Sequence, residues 1–352
     1  MGQTTHFFLG ANSADGFMSL YQELAQNPAV YVYFLKGGPG GGKSTFMGAI
    51  GEKAQSLGQN VEYILCSGDP DSLDGVYLPD MGMAWLDATA PHALEPAPYG
   101  VQGEYLHLGQ FCHADRLPAH EEEIRRIIAD YQQQYRYGYA YLAAAGKLKR
   151  ASLYADPRDF TSSLVRKRAQ SKFNRLSQAR SRTEVQSQPV RRFLRAVSSK
   201  GEYSYPSVLD VLCEQLCVLE SQYGLDQIYF RELMDLSREN DLPYIQCLHP
   251  LCPELTEALV YPALGYGVIT AEALPDFAGT VRTVHLDTYL TTTDKKARKQ
   301  LDKQLAGLVD SACLHLQKGN AIHDRLEQHY HPALDIAALS DFTRDYVHTL
   351  FA

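Results

Sequence analysis

The chain has 352 residues, 45% of them hydrophobic, a composition typical of a globular protein of about two domains. A net charge of −8 argues against a surface devoted to nucleic acid, and no apolar run approaches the roughly 20 residues of a membrane span. The N-terminus lacks the pattern of a secretory signal, and seven cysteines without a C-x-x-C pair favour a reducing, cytoplasmic location.

The first informative unit is a strand, a glycine-rich loop and a helix start. An apolar run at 30–35 leads into the pattern G-x-x-x-x-G-K-[ST], the sequence signature of a P-loop, and we call residues 37–44 the glycine-rich loop. Glycines let the backbone curl around a phosphate, and the following helix adds its positive N-terminal end. The residues predicted to bind the nucleotide are Gly37, Gly38, Pro39, Gly40, Gly41, Gly42, Lys43, Ser44 and Thr45. Lys43 is expected at the β- and γ-phosphates, and the Ser44 hydroxyl on Mg²⁺.

Carboxylates follow the next two predicted strands. The strand at 61–66 precedes a loop containing Asp69, Asp71 and Asp74, and the apolar run 81–86 ends in Asp87. An apolar strand that closes on an aspartate is the usual second half of a P-loop site, which predicts Asp87 as the Mg²⁺ partner, with Asp69 as its rival. Ala88 follows Asp87, so the commonest hydrolytic base, a glutamate at that position, is missing.

The attacking water has several candidate partners. His92 lies shortly after Asp87 in the chain and is a candidate for contact with phosphate or water, or else an ordinary loop histidine. The carboxylates of Asp69, Asp71 and Asp74 are further candidates for positioning water. With Lys43 and Asp87, the predicted catalytic set therefore includes Asp69 and His92.

A strand at 104–108 and a long helix over about 118–152 complete this unit, after which the chain becomes basic. Residues 158–192 carry ten Lys or Arg against Asp159 and Glu184. We expect a helix to about Arg175 and then an exposed linker. This segment is either a connector docked on the acidic bodies, a source of an arginine for the nucleotide, or a site for nucleic acid or another acidic partner.

The second half of the sequence repeats the first. The matches are 8–16 with 193–201, 63–66 with 244–247, Pro79, Gly82 and Ala88 with Pro262, Gly265 and Ala271, and 107–108 with 285–286. Both halves end in long helical sequence, the second from about Asp294. Several short matches in one order indicate a duplication.

The second copy lacks the predicted chemistry. We expect 228–230 to correspond to the strand before the glycine-rich loop, but Arg231 and the residues after it contain no glycine-lysine pattern. Thr270 takes the place of Asp87. The second unit is therefore expected to pack on the first, cover the nucleotide or present a surface to a partner.

These observations predict an α/β fold of the P-loop NTPase type, a three-layer αβα arrangement with a mainly parallel sheet, duplicated as two pseudo-repeats. The predicted boundaries are an active unit at 1–157, a basic helical and linker segment at 158–190, and a degenerate unit without the phosphate loop at 191–352.

The sequence also resembles a poorly characterised group of bacterial, largely Firmicute, ATPase-like proteins with two P-loop units in tandem. The resemblance is carried by 7–13, 35–45, 69–74 and 87–92, and it extends over nearly the whole chain. In that group both units commonly keep a P-loop, whereas here the second does not. The resemblance implies ATP binding and supplies no substrate.

The leading hypothesis is a cytoplasmic, Mg²⁺-dependent ATPase or other NTPase. The alternatives are phosphoryl transfer to a nucleotide or small metabolite, and a slow nucleotide-gated switch that acts on a protein or nucleic-acid partner. No guanine-recognition signature is present, so ATP is the default nucleotide.

Overall fold

A computed structural model describes residues 2–90, 94–96, 98–153, 160–177, 189–205, 208–291 and 294–352. The strands of the first half are β1 (Thr4–Phe8), β2 (Gly10–Ser13), β3 (Gly16–Ser19), β4 (Tyr31–Lys36), β5 (Val61–Leu65), β6 (Leu73–Leu78), β7 (Met83–Asp87) and β8 (Gly103–His107). Its helices are α1 (Gln22–Ala25), α2 (Lys43–Ser56), α3 (Glu121–Ala151) and α4 (Phe160–Ser177).

The second half follows the same order of elements. Its strands are β9 (Val190–Arg192), β10 (Arg195–Ser198), β11 (Gly201–Ser204), β12 (Gln215–Glu220), β13 (Ile245–Leu248), β14 (Thr256–Tyr261), β15 (Tyr266–Thr270) and β16 (Thr280–His285). Its helices are α5 (Val208–Leu212), α6 (Leu225–Glu239), α7 (Lys295–Tyr330) and α8 (Ile336–Leu350). Asp294 caps α7 by accepting from the amides of Lys296 and Ala297.

Each half builds a six-stranded sheet of the same topology. The strand order is β1-β5-β6-β7-β4-β8 in the first and β9-β13-β14-β15-β12-β16 in the second. In each sheet the third strand of this order, β6 or β14, runs antiparallel to both neighbours, and the other pairings are parallel. The fold is thus α/β with two mixed, mostly parallel sheets, and the predicted duplication is confirmed.

The strand register fixes which residues correspond. A bulge shifts the register at Leu65, which pairs with Leu73, and the same shift recurs at Leu248, which pairs with Thr256. Leu248 therefore corresponds to Leu65, and their residue numbers differ by 183. The same difference in number relates Pro79, Gly82 and Ala88 to their predicted counterparts. The predicted match of 63–66 with 244–247 is wrong by two residues, because Gln246 pairs with Leu259 as Tyr63 pairs with Val76.

The two halves meet at equivalent residues. The Phe8 amide donates to the Phe193 carbonyl and the Phe193 amide donates to the Phe8 carbonyl, each at 3.0 Å. Both phenylalanines are fully buried. The Asn12 side-chain amide adds bonds to the carbonyls of Ser67 and Val197, at 3.1 and 2.8 Å. Because Phe8 and Phe193 are counterparts in the repeat, the junction is pseudo-symmetric.

The long helices α3 and α7 pack along each other and exchange the helices that follow them. Close approach is possible where Gly138 meets Leu316 and where Gly319 meets Tyr135. Beyond this crossing, α4 packs on α6 of the second half and α8 packs on α2 of the first. The rings of Phe46 in α2 and Phe342 in α8 stack at 6.0 Å between centroids. Each half is therefore completed by a helix of the other.

The basic segment divides between a packed helix and residues whose structure is not described. In α4 the apolar side of the helix is buried against the second half through Val165, Ala169 and Phe173. Arg192 is buried and pairs with Glu62 of the first half at 2.6 Å. The predicted linker lies largely at 178–188, outside the described residues. Within the described ranges, none of the helices has the length and apolar character needed to cross a bilayer.

Candidate functional site

The glycine-rich loop leaves β4, which lies between β7 and β8 in the first sheet, and enters α2. Gly40 and Gly42 have φ values of +61° and +75°, where an L side chain is strained, so the curl of the loop depends on glycine at both positions. Gly42 is the residue from which α2 begins. The strand, loop and helix predicted from the sequence are therefore present in that order.

Lys43 and Asp87 lie together at the carboxyl end of these strands. The Lys43 Nζ donates to the carbonyls of Gly37 and Gly38, at 3.0 and 3.1 Å, and lies 3.6 Å from the Asp87 Oδ2. Both side chains are largely buried. The structure thus brings together two residues that were assigned to one site from separate parts of the sequence.

Asp87 is held by a residue that the sequence did not single out. Its Oδ1 accepts hydrogen bonds from the Thr89 amide at 2.8 Å and the Thr89 hydroxyl at 2.6 Å. This arrangement fixes the carboxylate with its other oxygen toward Lys43. Ser44 lies in the first turn of α2, where its Oγ accepts from the Leu73 amide at 3.0 Å, and Thr45 is exposed.

Of the predicted carboxylates Asp69, Asp71 and Asp74, Asp74 lies closest in the sheet to Lys43 and Asp87. Gly75 pairs with Leu86 between β6 and β7, so Asp74 and Asp87 stand at adjacent positions of neighbouring strands. Asp74 is buried and accepts from the Tyr21 hydroxyl at 2.8 Å. Burial raises the pKa of Tyr21, with further contributions from the charges of Asp74, Cys66 and Asp87. Two carboxyl groups, those of Asp74 and Asp87, therefore lie side by side in the buried part of the site.

The other predicted carboxylates have contacts outside this pair. Asp69 closes a tight turn, since its carbonyl accepts from the Ser72 amide and its Oδ2 from the Ser72 hydroxyl. Asp71 is exposed and forms an ion pair with Lys200 of the second half at 2.5 Å. His92 lies outside the described residues.

Residues of α7 and α8 cover the loop from the second half. The Gly40 amide donates to the Glu327 Oε1 at 3.1 Å. The Tyr330 ring lies against Gly38, and Leu339 lies against Gly42 so closely that a Cβ there would be 2.5 Å from its Cδ2. The sequence does not point to these three residues, because nothing local in a long helix indicates which distant loop it covers.

The second half retains the position of the loop without its residues. β12 lies between β15 and β16 as β4 lies between β7 and β8, and it leads through residues 221–224, the second loop, into α6. Gly224 has φ +81° and precedes α6 as Gly42 precedes α2. The predicted strand at 228–230 is wrong, because these residues lie in α6. Leu225 and Asp226 thus stand where the first half has Lys43 and Ser44.

A cavity of about 660 Å³ lies beside the second loop. Its polar lining includes several carboxylates, among them Glu220, Asp226 and Asp287. Asp287 accepts from the Ser221 hydroxyl at 2.9 Å and from the Gln222 amide at 2.7 Å. Burial raises the pKa of Asp226 to about 6. A loop amide that could meet a phosphate is therefore already bound to a carboxylate.

Two sets of side chains offer metal ligands. The Ser44 hydroxyl and the Asp87 and Asp74 carboxylates supply oxygen atoms, which suit a hard cation such as Mg²⁺. A separate group of His120, Glu123 and His329 joins α3 and α7, with ligand atoms all within 4.8 Å of one another. Its nitrogen and oxygen donors are of the type that zinc prefers.

Comparison with known proteins identifies no relative for this arrangement. A scan against protein-family models found no match, and searches of the curated proteins and of the solved structures found none either.

Proposed function

We propose that the chain binds ATP through the glycine-rich loop and hydrolyses it with Mg²⁺. The observation that carries the proposal is the pair of Lys43 and Asp87, 3.6 Å apart beside a loop shaped by left-handed glycines. A buried cation, the backbone amides of the loop and a helix N-terminus together suit a polyphosphate. The resemblance to tandem ATPase-like proteins agrees with this assignment.

The proposed chemistry needs little covalent participation from the protein. Lys43 would leave the Gly37 and Gly38 carbonyls and neutralise phosphate charge, while the loop amides hold the phosphate oxygens. Ser44 and Asp87 would hold Mg²⁺, which supplies charge neutralisation at the transferred phosphate. Thr89 fixes the Asp87 carboxylate, and buried Asp74 adds negative charge that favours a cation at this position.

A nucleotide-gated switch is the second candidate. It is favoured by the cover that α7 and α8 place over the loop, since these helices belong to the half that lacks a phosphate loop. A switch of this kind would turn over slowly and change its contacts with a partner when ATP binds. Nucleotide-dependent capture of a partner, with turnover below about 1 per minute, would favour it over an ordinary ATPase, whose turnover is commonly on the order of 10 per second.

The test compares Lys43→Ala and Asp87→Asn with the wild type and with Thr270→Val, the matched change at the Asp87 position of the second half. We expect Lys43→Ala to abolish tight ATP binding in calorimetry. Asp87→Asn should lower Mg²⁺-dependent phosphate release about 100-fold, and Thr270→Val should change neither property. Circular dichroism would establish that each variant is folded, and titration with GTP would determine the preferred base. Unchanged ATP affinity in folded Lys43→Ala would refute the proposal.

A further inference from the structure

Glu327 presents a carboxylate to the loop that is proposed to bind phosphate. Its Oε1 accepts from the Gly40 amide at 3.1 Å, and its Cβ lies 3.3 Å from the place where a Gly40 Cβ would stand. Glu327 belongs to α7 and so comes from the half without a phosphate loop. A negatively charged acceptor therefore takes up a backbone donor of the anion-binding loop.

This contact resembles the one that a phosphate oxygen would make. Backbone amides of a loop between a strand and a helix N-terminus bind whatever anion is nearest, and a hydrogen bond to a charged acceptor is stronger than one to a neutral acceptor. A nucleotide phosphate placed on the same amide would displace the carboxylate. If the carboxylate stayed nearby, it would also repel the phosphate.

The surroundings allow the side chain to move while α7 stays in place. The Glu327 side chain is 41% exposed. His323 lies one helical turn earlier in α7, and its Nδ1 is 3.7 Å from the Glu327 Oε1. Tyr330 against Gly38 and Leu339 against Gly42 hold the adjoining parts of α7 and α8 on the loop. Because it is partly exposed, the carboxylate can turn toward solvent when the loop amide is taken by another anion.

We propose that Glu327 is an internal competitor for the phosphate position, through which the second half weakens nucleotide binding by the first. The inference rests on the proposed ATP binding. It assigns Glu327 a regulatory role rather than one in the chemical step.

The experiment measures the Kd for ATP and the turnover at saturating ATP in the full-length chain. Glu327→Ala removes the competing acceptor, and Glu327→Gln keeps its shape and a neutral acceptor. Asp324→Ala is the matched control, because it removes the same charge from an exposed position of the same helix. We expect Glu327→Ala to bind ATP about tenfold more tightly, Glu327→Gln to show a smaller change in the same direction, and Asp324→Ala to bind as the wild type does.

The other outcomes overturn the inference in distinguishable ways. If the wild type binds ATP and Lys43→Ala does not, but both Glu327 variants keep the wild-type Kd, the competitor role fails and the proposed function stands. If the Glu327 variants lose turnover at an unchanged Kd, the residue acts in the reaction and is no competitor. If neither the wild type nor the Glu327 variants bind ATP, both proposals fail together.

Discussion

The glycine-rich loop and the second loop stand at the same place in two sheets of one topology, yet the charged residues beside them differ. Both leave a strand flanked by parallel neighbours and enter a helix through a left-handed glycine, Gly42 or Gly224. The residue after this glycine is Lys43 in the first half and Leu225 in the second. In the second loop, the Gln222 amide also donates a hydrogen bond to Asp287. The packing of strand against helix has thus been kept while the side chains suited to an anion have gone.

A second pair of equivalent residues shows how the charge was rearranged. The register places Glu257 at the position of Asp74, and both carboxylates are buried. Glu257 is bonded to Arg195, whose Nε donates at 3.0 Å, but the residue equivalent to Arg195 in the first half is Gly10. The second half therefore neutralises this carboxylate with its own arginine. Asp74 instead lies next to the proposed metal site.

Arg195→Ala should have the largest effect on stability. It would leave Glu257 buried without its cation, which costs about 3–5 kcal/mol in the free energy of unfolding. Arg191→Ala is the control, because its pair with Glu23 is partly exposed and should contribute at most about 1 kcal/mol. Urea denaturation would measure both. Equal losses of unfolding free energy in the two variants would show that the buried Arg195–Glu257 pair contributes no more to stability than the partly exposed one.

Asp226→Asn tests the carboxylate that stands in the place of Ser44. The folded-state pKa of about 6 lies above the usual 3.8, so the folded protein binds this proton more tightly than the unfolded chain does. Its contribution to stability therefore falls as pH rises from about 4 to 6, by at most about 3 kcal/mol. Asp226→Asn should remove that loss, making the variant more stable than the wild type at pH 7 and equally stable near pH 4. A difference that is constant from pH 4 to pH 7 would contradict this origin.

The sequence predicted the parts of the fold that local patterns specify. Apolar runs that end in a glycine-rich loop or in Asp87 are strong local signals, and these strands are present. The segment 228–230 was mistaken for a strand because three apolar residues in a row suit either structure. Its buried residues Leu225, Tyr229 and Leu233 recur every four positions, which is the period of a helix.

Only those site residues that belong to a local sequence motif could be predicted. Lys43 and Asp87 follow known patterns, but Tyr21, Thr89 and Glu327 contribute through contacts that depend on tertiary structure. Glu327 lies 287 residues from Gly40 in the chain. No periodicity or motif relates such positions, because helix α7 reaches the loop only after crossing α3.

Gly42→Ala and Gly224→Ala test two properties of the loops: the left-handed glycine, which both loops have, and ATP binding, which we expect of the first loop alone. A methyl group would be strained at either positive φ, at about 1–2 kcal/mol, and would press on Leu339 or Leu153. Thermal unfolding should therefore report a similar loss of stability in both variants. Calorimetry should show weaker ATP binding for Gly42→Ala alone. A comparable loss of ATP affinity in Gly224→Ala would mean that the second loop also takes part in binding.

Asp71→Asn should have the smallest effect on turnover. It allows a comparison with Asp74, which lies three residues later in the chain. Asp71 is exposed and paired with Lys200 of the second half, whereas Asp74 is buried beside Asp87. An exposed ion pair contributes little, so turnover in Asp71→Asn should stay within about twofold of the wild type. Asp74→Asn, the matched change three residues later, should lower Mg²⁺-dependent turnover, because it removes buried negative charge next to the proposed cation. Equal loss of turnover in both variants would require this loop to leave Lys200 and approach the nucleotide.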